Sequence, residues 1–158
     1  MSDHQAILDI NAKGVLNCTY LAFPYLKAAG NAHVVTMASV ASLFAPPSEV
    51  TYAASKFWVR GFTEALNMEW ERYGIHVCDI MPNFVKTAMV EQNPGKIIAN
   101  SGVAFTPEDI AATVWKTTQI KRIHWLIDRP LYKLSYGIAR ILLPYSVVRS
   151  LLKKSAGF

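Results

Sequence analysis

Tyr52 and Lys56 stand four residues apart, a spacing that brings both side chains out on one face of a helix and lets the ammonium lie near the phenol. A phenol of ordinary pKa, near ~10, is a poor base at neutral pH, and a fixed positive charge beside it stabilises the phenolate and lowers that value towards the working range. The pair alone says little, because seven tyrosines and ten lysines in 158 residues give roughly 0.4 such pairs by chance. Ser39 supplies context. It lies thirteen positions before Tyr52, just past an expected strand, where the carboxyl ends of parallel strands gather ligands, and its hydroxyl suits a substrate oxygen. Three further segments follow one order along the chain: Asn11-Ala12-Lys13-Gly14, Tyr52-Ala53-Ala54-Ser55-Lys56 and Pro82-Asn83-Phe84-Val85-Lys86-Thr87.

The elements that must hold these residues alternate between helical and strand periods. Ile7, Ile10, Val15, Leu16, Leu21, Ala22, Tyr25 and Leu26 recur at mostly three- and four-residue steps, predicting one long helix over 2–29 that stops at Gly30-Asn31. His33 to Met37 reads as a short buried strand. A proline-containing stretch leads to a second helix from about Thr51, with Val59, Phe62, Leu66 and Tyr73 on one face until Gly74. Ile75 to Met81 is the next strand. Phe84 to Phe105, with Asn93-Pro94-Gly95 and Ser101-Gly102, shows weak periodicity and reads as a flap over a site. Thr106-Pro107-Glu108-Asp109 is a strong helix start, the hydroxyl capping the first turn and the acids facing the positive end of the dipole. Ile123 to Ile127 is a third, weaker strand. Strands separated by helices imply right-handed crossovers, hence an α/β fold with a doubly wound parallel sheet of about three strands; the first of them is an unpaired edge unless something upstream pairs with it.

Composition bounds the function classes. With 52% hydrophobic and 17% charged residues the chain fits one globular unit. Its longest apolar stretch, Ile141 to Val148, is broken by Pro144 and falls far short of the roughly 20 residues of a membrane span; the opening residues hold no apolar signal segment, and a cytoplasmic chain is expected. Cys18 and Cys78 read as buried free thiols. No histidine stands at ligand spacing from another histidine or a cysteine, so no metal is expected. The formal charge of +5 is unevenly placed: residues 1–119 hold eight Lys/Arg against ten Asp/Glu, whereas 120–158 hold eight against Asp128 alone.

With these segments in this order, the sequence closely resembles the short-chain dehydrogenase/reductase family, from its catalytic asparagine helix to its carboxyl terminus. The resemblance implies a Rossmann-like domain over 1–128, truncated at its amino end, and an alcohol–carbonyl oxidoreductase that uses NAD or NADP. It further implies that Tyr52 is the general acid/base, that Lys56 lowers its pKa and holds the nicotinamide ribose, that Ser39 orients the substrate oxygen and that Asn11 anchors a relay water. Thr87 matches the position that contacts the nicotinamide carboxamide, and Pro82 and Val85 match the loop against its ring. Helices 2–29 and 51–73 match those that form the dimer contact in many members, which implies a homo-oligomer.

Two departures stand out. Asn83 replaces the usual glycine, and asparagine tolerates left-handed backbone better than most residues. The family's Thr-Gly-x-x-x-Gly-x-Gly turn is absent, so only the nicotinamide half-site is expected here, with roughly 90 to 100 residues of a typical member lying upstream and little activity expected from these residues alone. The tail, 129–158, carries Leu131, Leu134, Ile138, Ile141 and Leu142 on one helix side, with Lys133 and Arg140 on another. Two readings stay open: an amphipathic segment at a membrane surface over 130–154, or leucines that cover a pocket or subunit contact beside solvated cations. The alternative to an enzyme is a non-catalytic oligomerisation or peripheral membrane module. Nucleic acid is not an expected partner, because the basic residues alternate with aliphatic rather than stacking aromatic ones. The apolar flap and tail suggest a hydrophobic alcohol or ketone as substrate.

Overall fold

The computed structural model describes residues 1–92 and 95–157, with the side chains of Met89 and Arg140 left out of the description. Helix α1 (Ser2–Leu8) continues through a π-helical turn (Asp9–Gly14) into α2 (Val15–Ala29), so the expected single helix is continuous in direction but widened at Asn11. Gly30, left-handed at φ 69°, ends it. Strand β1 (Ala32–Met37) and a 3-10 turn (Val40–Ser42) lead to α3 (Val50–Trp70). A second 3-10 turn reaches Gly74 at φ 71°, where β2 (Ile75–Pro82) begins. A Cβ on Gly74 would strike the Gly30 carbonyl, so both the left-handed backbone and the close approach of the two helix ends require glycine there.

After β2 come two short helices, α4 (Ala88–Gln92) and α5 (Lys96–Ser101), then α6 (Pro107–Thr117), β3 (His124–Ile127), α7 (Pro130–Leu142) and α8 (Tyr145–Ala156). Residues 84–105 are therefore not a featureless flap. They hold two short helices and close with a parallel bridge between Val85 and Phe105, while Asn93 and Pro94 of the expected turn lie outside the described residues. The start of α6 is as expected: the Thr106 hydroxyl accepts from the Asp109 amide and the Asp109 carboxylate accepts from the Thr106 amide.

The strands form a parallel sheet in the order β1-β2-β3, with Thr36 opposite Asp79 and Asp79 opposite His124. Side chains alternate across it, so β2 feeds two cores. Ile75 and Val77 pack with Leu66 and Trp70 of α3 and Phe23 and Leu26 of α2. Ile80, on the opposite face, packs with Ile110 of α6 and Ile127. The chain is thus α/β, with helices on both faces of the sheet and β1 at an edge.

Three expectations are corrected. The inward face of α2 uses Val15, Phe23 and Leu26 with buried Thr19, whose hydroxyl donates to the Val15 carbonyl at 2.7 Å. Ile10, Leu21 and Tyr25 of the expected stripe point outward, with Leu21 75% exposed; a stripe wider than one helix interface has to leave some members out. Cys18 shares that outer face and is exposed, whereas Cys78 is buried. Asn83 is not left-handed, since Ser48 is the only non-glycine residue with positive φ among those described. Its side chain matters instead: its amide donates to buried Asp128 at 2.8 Å and its carbonyl accepts from the Phe84 amide at 2.9 Å.

Candidate active site

Ser39, Tyr52 and Lys56 meet where β1 runs out and α3 begins. Ser39, in extended backbone (φ −168°, ψ 162°), caps the 3-10 turn by accepting from the Ala41 amide at 3.1 Å, and its Oγ lies 3.5 Å from the Pro82 carbonyl at the end of β2. Parallel register puts these two strand ends side by side. The first turns of α3 direct Tyr52 and Lys56 towards them, and Ala53 and Val59 are fully buried beneath. The Tyr52 phenol faces Ser39, whose hydroxyl is near enough to favour the phenolate. Lys56, 8% exposed, donates from Nζ to the Met37 carbonyl at 2.9 Å, and its ammonium lies 5.6 Å from the Tyr52 ring centre.

The electrostatics differ from the expectation that Lys56 lowers the phenol pKa. Burial holds the Tyr52 phenol above its ordinary value; the Ser39 hydroxyl pulls it down, and the nearby Glu49 carboxylate pushes it up again. Burial also lowers Lys56, whose ammonium is turned to a backbone carbonyl, and raises Glu49. The Lys56 ammonium is engaged by the Met37 carbonyl, and burial decides the direction of the phenol's shift.

Asn11 sits in the π-helical turn, a distortion common at functional sites, and reaches α3 through Ser55: its Nδ2 donates to Ser55 Oγ at 3.1 Å, and that hydroxyl donates to the Tyr52 carbonyl at 2.7 Å. Ser55, next to Lys56 in the Tyr52–Lys56 segment, is a positioning residue that sequence reasoning does not single out. The Met37 carbonyl could not have been found from sequence, because every residue has one. Pro82 ends β2 beside Ser39. Val85 lies farther along the same loop, bridged to Phe105, and Thr87 is exposed at the head of α4, where its carbonyl accepts from the Val90 and Glu91 amides at 3.0 Å. Pro82 therefore joins the cluster by contact with Ser39, whereas Val85 and Thr87 are set on the loop that leaves it.

A family model described as short chain dehydrogenase matches residues 1–97. The chain belongs to the short-chain dehydrogenase family. It is 35% identical over 94 residues to a 3-oxoacyl-(acyl-carrier-protein) reductase of Thermotoga maritima, covering 60% of this chain and 38% of that protein. Over 122 residues it is 33% identical to the oxidoreductase UcpA of Escherichia coli K12, covering 77% of this chain and 44% of the relative. This member thus spans less than half the length of those curated relatives. Among solved structures, a short chain dehydrogenase from Burkholderia cenocepacia in complex with NADP superposes with a TM-score of 0.78 at 19% identity, covering 94% of this chain and 58% of that one. A 4-hydroxyisoleucine dehydrogenase complexed with NADH superposes with a TM-score of 0.66 at 22% identity, covering 79% and 57%. These likenesses establish the Rossmann-like fold.

Proposed function

We propose that these residues form the proton-handling, nicotinamide-facing part of an NAD(P)-dependent oxidoreductase that interconverts an alcohol and a carbonyl. The observation that carries this reading is the convergence of Tyr52, Ser39 and Lys56 at adjacent strand ends. The donor set suits a nicotinamide ribose, since a buried ammonium and a phenol are hydroxyl-binding groups at the carboxyl edge of a parallel sheet. No Thr-Gly-x-x-x-Gly-x-Gly segment occurs in these 158 residues, so a pyrophosphate cradle has to come from elsewhere.

When bound, a reduced nicotinamide supplies the hydride. In that direction the Tyr52 O–H bond breaks and its proton goes to the substrate oxygen, which Ser39 holds by hydrogen bonding. A phenol held above its ordinary pKa stays protonated at neutral pH and is ready to donate. The phenolate left behind is stabilised by the Ser39 hydroxyl and the Lys56 charge, and a water held at Asn11 restores the proton. Alcohol oxidation runs these steps in reverse and gains from alkaline pH. Pro82 and Val85 would lie on the nicotinamide side and Thr87 would hold its carboxamide, and the substrate is a hydrophobic alcohol or ketone.

Nicotinamide mononucleotide and adenosine monophosphate, each titrated against the chain by ligand-observed NMR, test the half-site. The expected result is millimolar binding of the nicotinamide nucleotide alone, lost in Lys56→Met; equal binding of both nucleotides, or no effect of Lys56→Met, overturns it. For the activity, the chain, alone and with any residues encoded in frame ahead of it, is assayed for NADH or NADPH oxidation against hydrophobic ketones. Turnover that survives Tyr52→Phe removes the catalytic assignment.

A second reading rests on the outward-facing Ile10, Leu21 and Tyr25 of α1–α2 and Met68 of α3, all exposed. A self-complementary contact between copies through helices 2–29 and 51–73 covers this face. Sedimentation velocity checks it, and a single monomeric species at high micromolar concentration rules it out.

A further inference from the structure

We propose that α7 and α8 form a docking surface for an anionic lipid bilayer, an inference that goes beyond the oxidoreductase reading and does not depend on it. Amphipathic helices of a soluble protein ordinarily turn their apolar stripe to the core. α7 does the reverse. It rests on the body through its tyrosine side: the Tyr136 ring lies 5.9 Å from Phe44, and Tyr132 packs beside Tyr136 at 6.4 Å. Leu131, Leu134, Ile138, Ile141 and Leu142 share the opposite side, and all five are exposed, Ile141 to 80%.

α8 extends the same pattern. Val148 and Ala156 are buried, and the Asn100 amide donates to the Ser155 carbonyl at 2.8 Å, so α8 is held against α5 by one face. Val147 and Leu151 remain exposed on the other. An open apolar cleft of about 560 Å³ between α8 and the start of α3 has Arg149 and Lys153 in its wall. An exposed apolar stripe of this kind marks an interaction site, and the charge around it selects the partner. From Arg129 to Gly157 the sequence has six Lys/Arg and no Asp or Glu. The acid that precedes this segment, Asp128, is buried and already accepts from the Asn83 side chain and the Arg129 amide, and Glu49 at the start of α3 adjoins Val50 in the cleft wall. A second copy fits poorly, because a two-fold contact lays the same basic patch against itself. An anionic bilayer satisfies both features at once: the leucine and isoleucine side chains enter the acyl boundary, while lysine and arginine stems reach back to the headgroups.

Vesicle flotation with the intact chain tests this, using phosphatidylcholine alone and phosphatidylcholine with about one third phosphatidylglycerol. The chain is expected to float with the anionic vesicles only, and its bound fraction to fall several-fold between about 50 and about 500 mM salt. Leu134→Glu with Ile141→Glu is expected to lose at least about tenfold in partition, with an unchanged circular dichroism spectrum because both positions face outward. Lys153→Glu with Lys154→Glu replaces only polar groups and is expected to give a comparable loss, so a folding defect in the first variant does not decide the matter. Leu21→Glu on α2 is expected to bind like the wild type. Absence of flotation with anionic vesicles overturns the proposal, as does flotation unaffected by both double variants. Capture by an acidic polypeptide that survives Leu134→Glu with Ile141→Glu also overturns it, by showing that charge alone selects the partner.

Discussion

Two helical surfaces of this chain leave apolar side chains in the open, and they differ in what surrounds those side chains. On α2 and α3, Leu21, Tyr25 and Met68 are exposed in a stretch where residues 1–73 hold five Lys/Arg and six Asp/Glu. On α7 and α8, Leu131, Ile141 and Leu151 are exposed in a stretch without a single acid. Mixed charge lets an apolar face meet a copy of itself, because opposite signs can be paired across a two-fold axis. Uniform charge forbids that and favours a partner of the opposite sign. The surfaces also differ in what lies beneath them. α2 and α3 sit on the sheet through Phe23, Leu66 and Trp70, whereas α7 rests on Phe44 through the Tyr136 ring.

The largest test of that difference is truncation beneath the first surface. Trp70, 4% exposed, packs its ring 4.6 Å from Phe23 and 5.9 Å from Tyr20. Trp70→Ala is expected to cost about 3–5 kcal/mol in urea unfolding, and a loss below ~1 kcal/mol would mean that α2 and α3 are not the anchored pair described. Next, Tyr25→Glu should weaken any self-association at least about tenfold, or ~1.4 kcal/mol, while Leu134→Glu leaves it unchanged. Sedimentation equilibrium reads both, and an equal effect of the two erases the distinction between the surfaces.

The third test uses pH. Tyr136 is raised far above the ordinary tyrosine value of 10.0, first by burial and then by the Asp128 carboxylate. A raised folded-state value contributes stability that is intact below about pH 10, where the unfolded tyrosine is also protonated, and is lost as pH climbs towards the folded value. Wild-type stability should therefore fall above about pH 10, and Tyr136→Phe should flatten that fall. Identical alkaline profiles would mean that Tyr136 is not the clasp of the tail. The smallest effect is expected at Leu134, where Leu134→Ala should change stability by no more than about 0.5 kcal/mol. A core-like loss of ~2 kcal/mol or more would show the stripe to be packed and end the comparison.

Much of the site was legible because its information is local. Helical phase put Tyr52 and Lys56 on one face, and the alternation of strands and helices put Ser39 at a strand end. The tuning of the phenol was not legible, since it depends on how deeply α3 buries Tyr52, on Glu49 nearby and on the Met37 carbonyl that turns the ammonium aside. The link from Asn11 through Ser55 to Tyr52 joins residues 44 apart, a separation over which periodicity is silent.

The sequence by itself determined the order of the three strands and the helices between them outside 84–105, the glycine stops at 30 and 74, the capped start of α6, the candidate acid–base pair and the segregation of positive charge to the tail. Each follows from short-range rules: backbone sterics, terminal hydrogen bonding and side-chain period. Only the tertiary structure decided which side of a helix is buried. Periodicity sets the phase between residues of one helix, but the rotation of that helix against its neighbours is chosen by the packing of all of them together. That is why Leu21 and Cys18 face out, why Asn83 serves Asp128 rather than a left-handed turn, and why the leucine side of α7 points away from the protein that carries it.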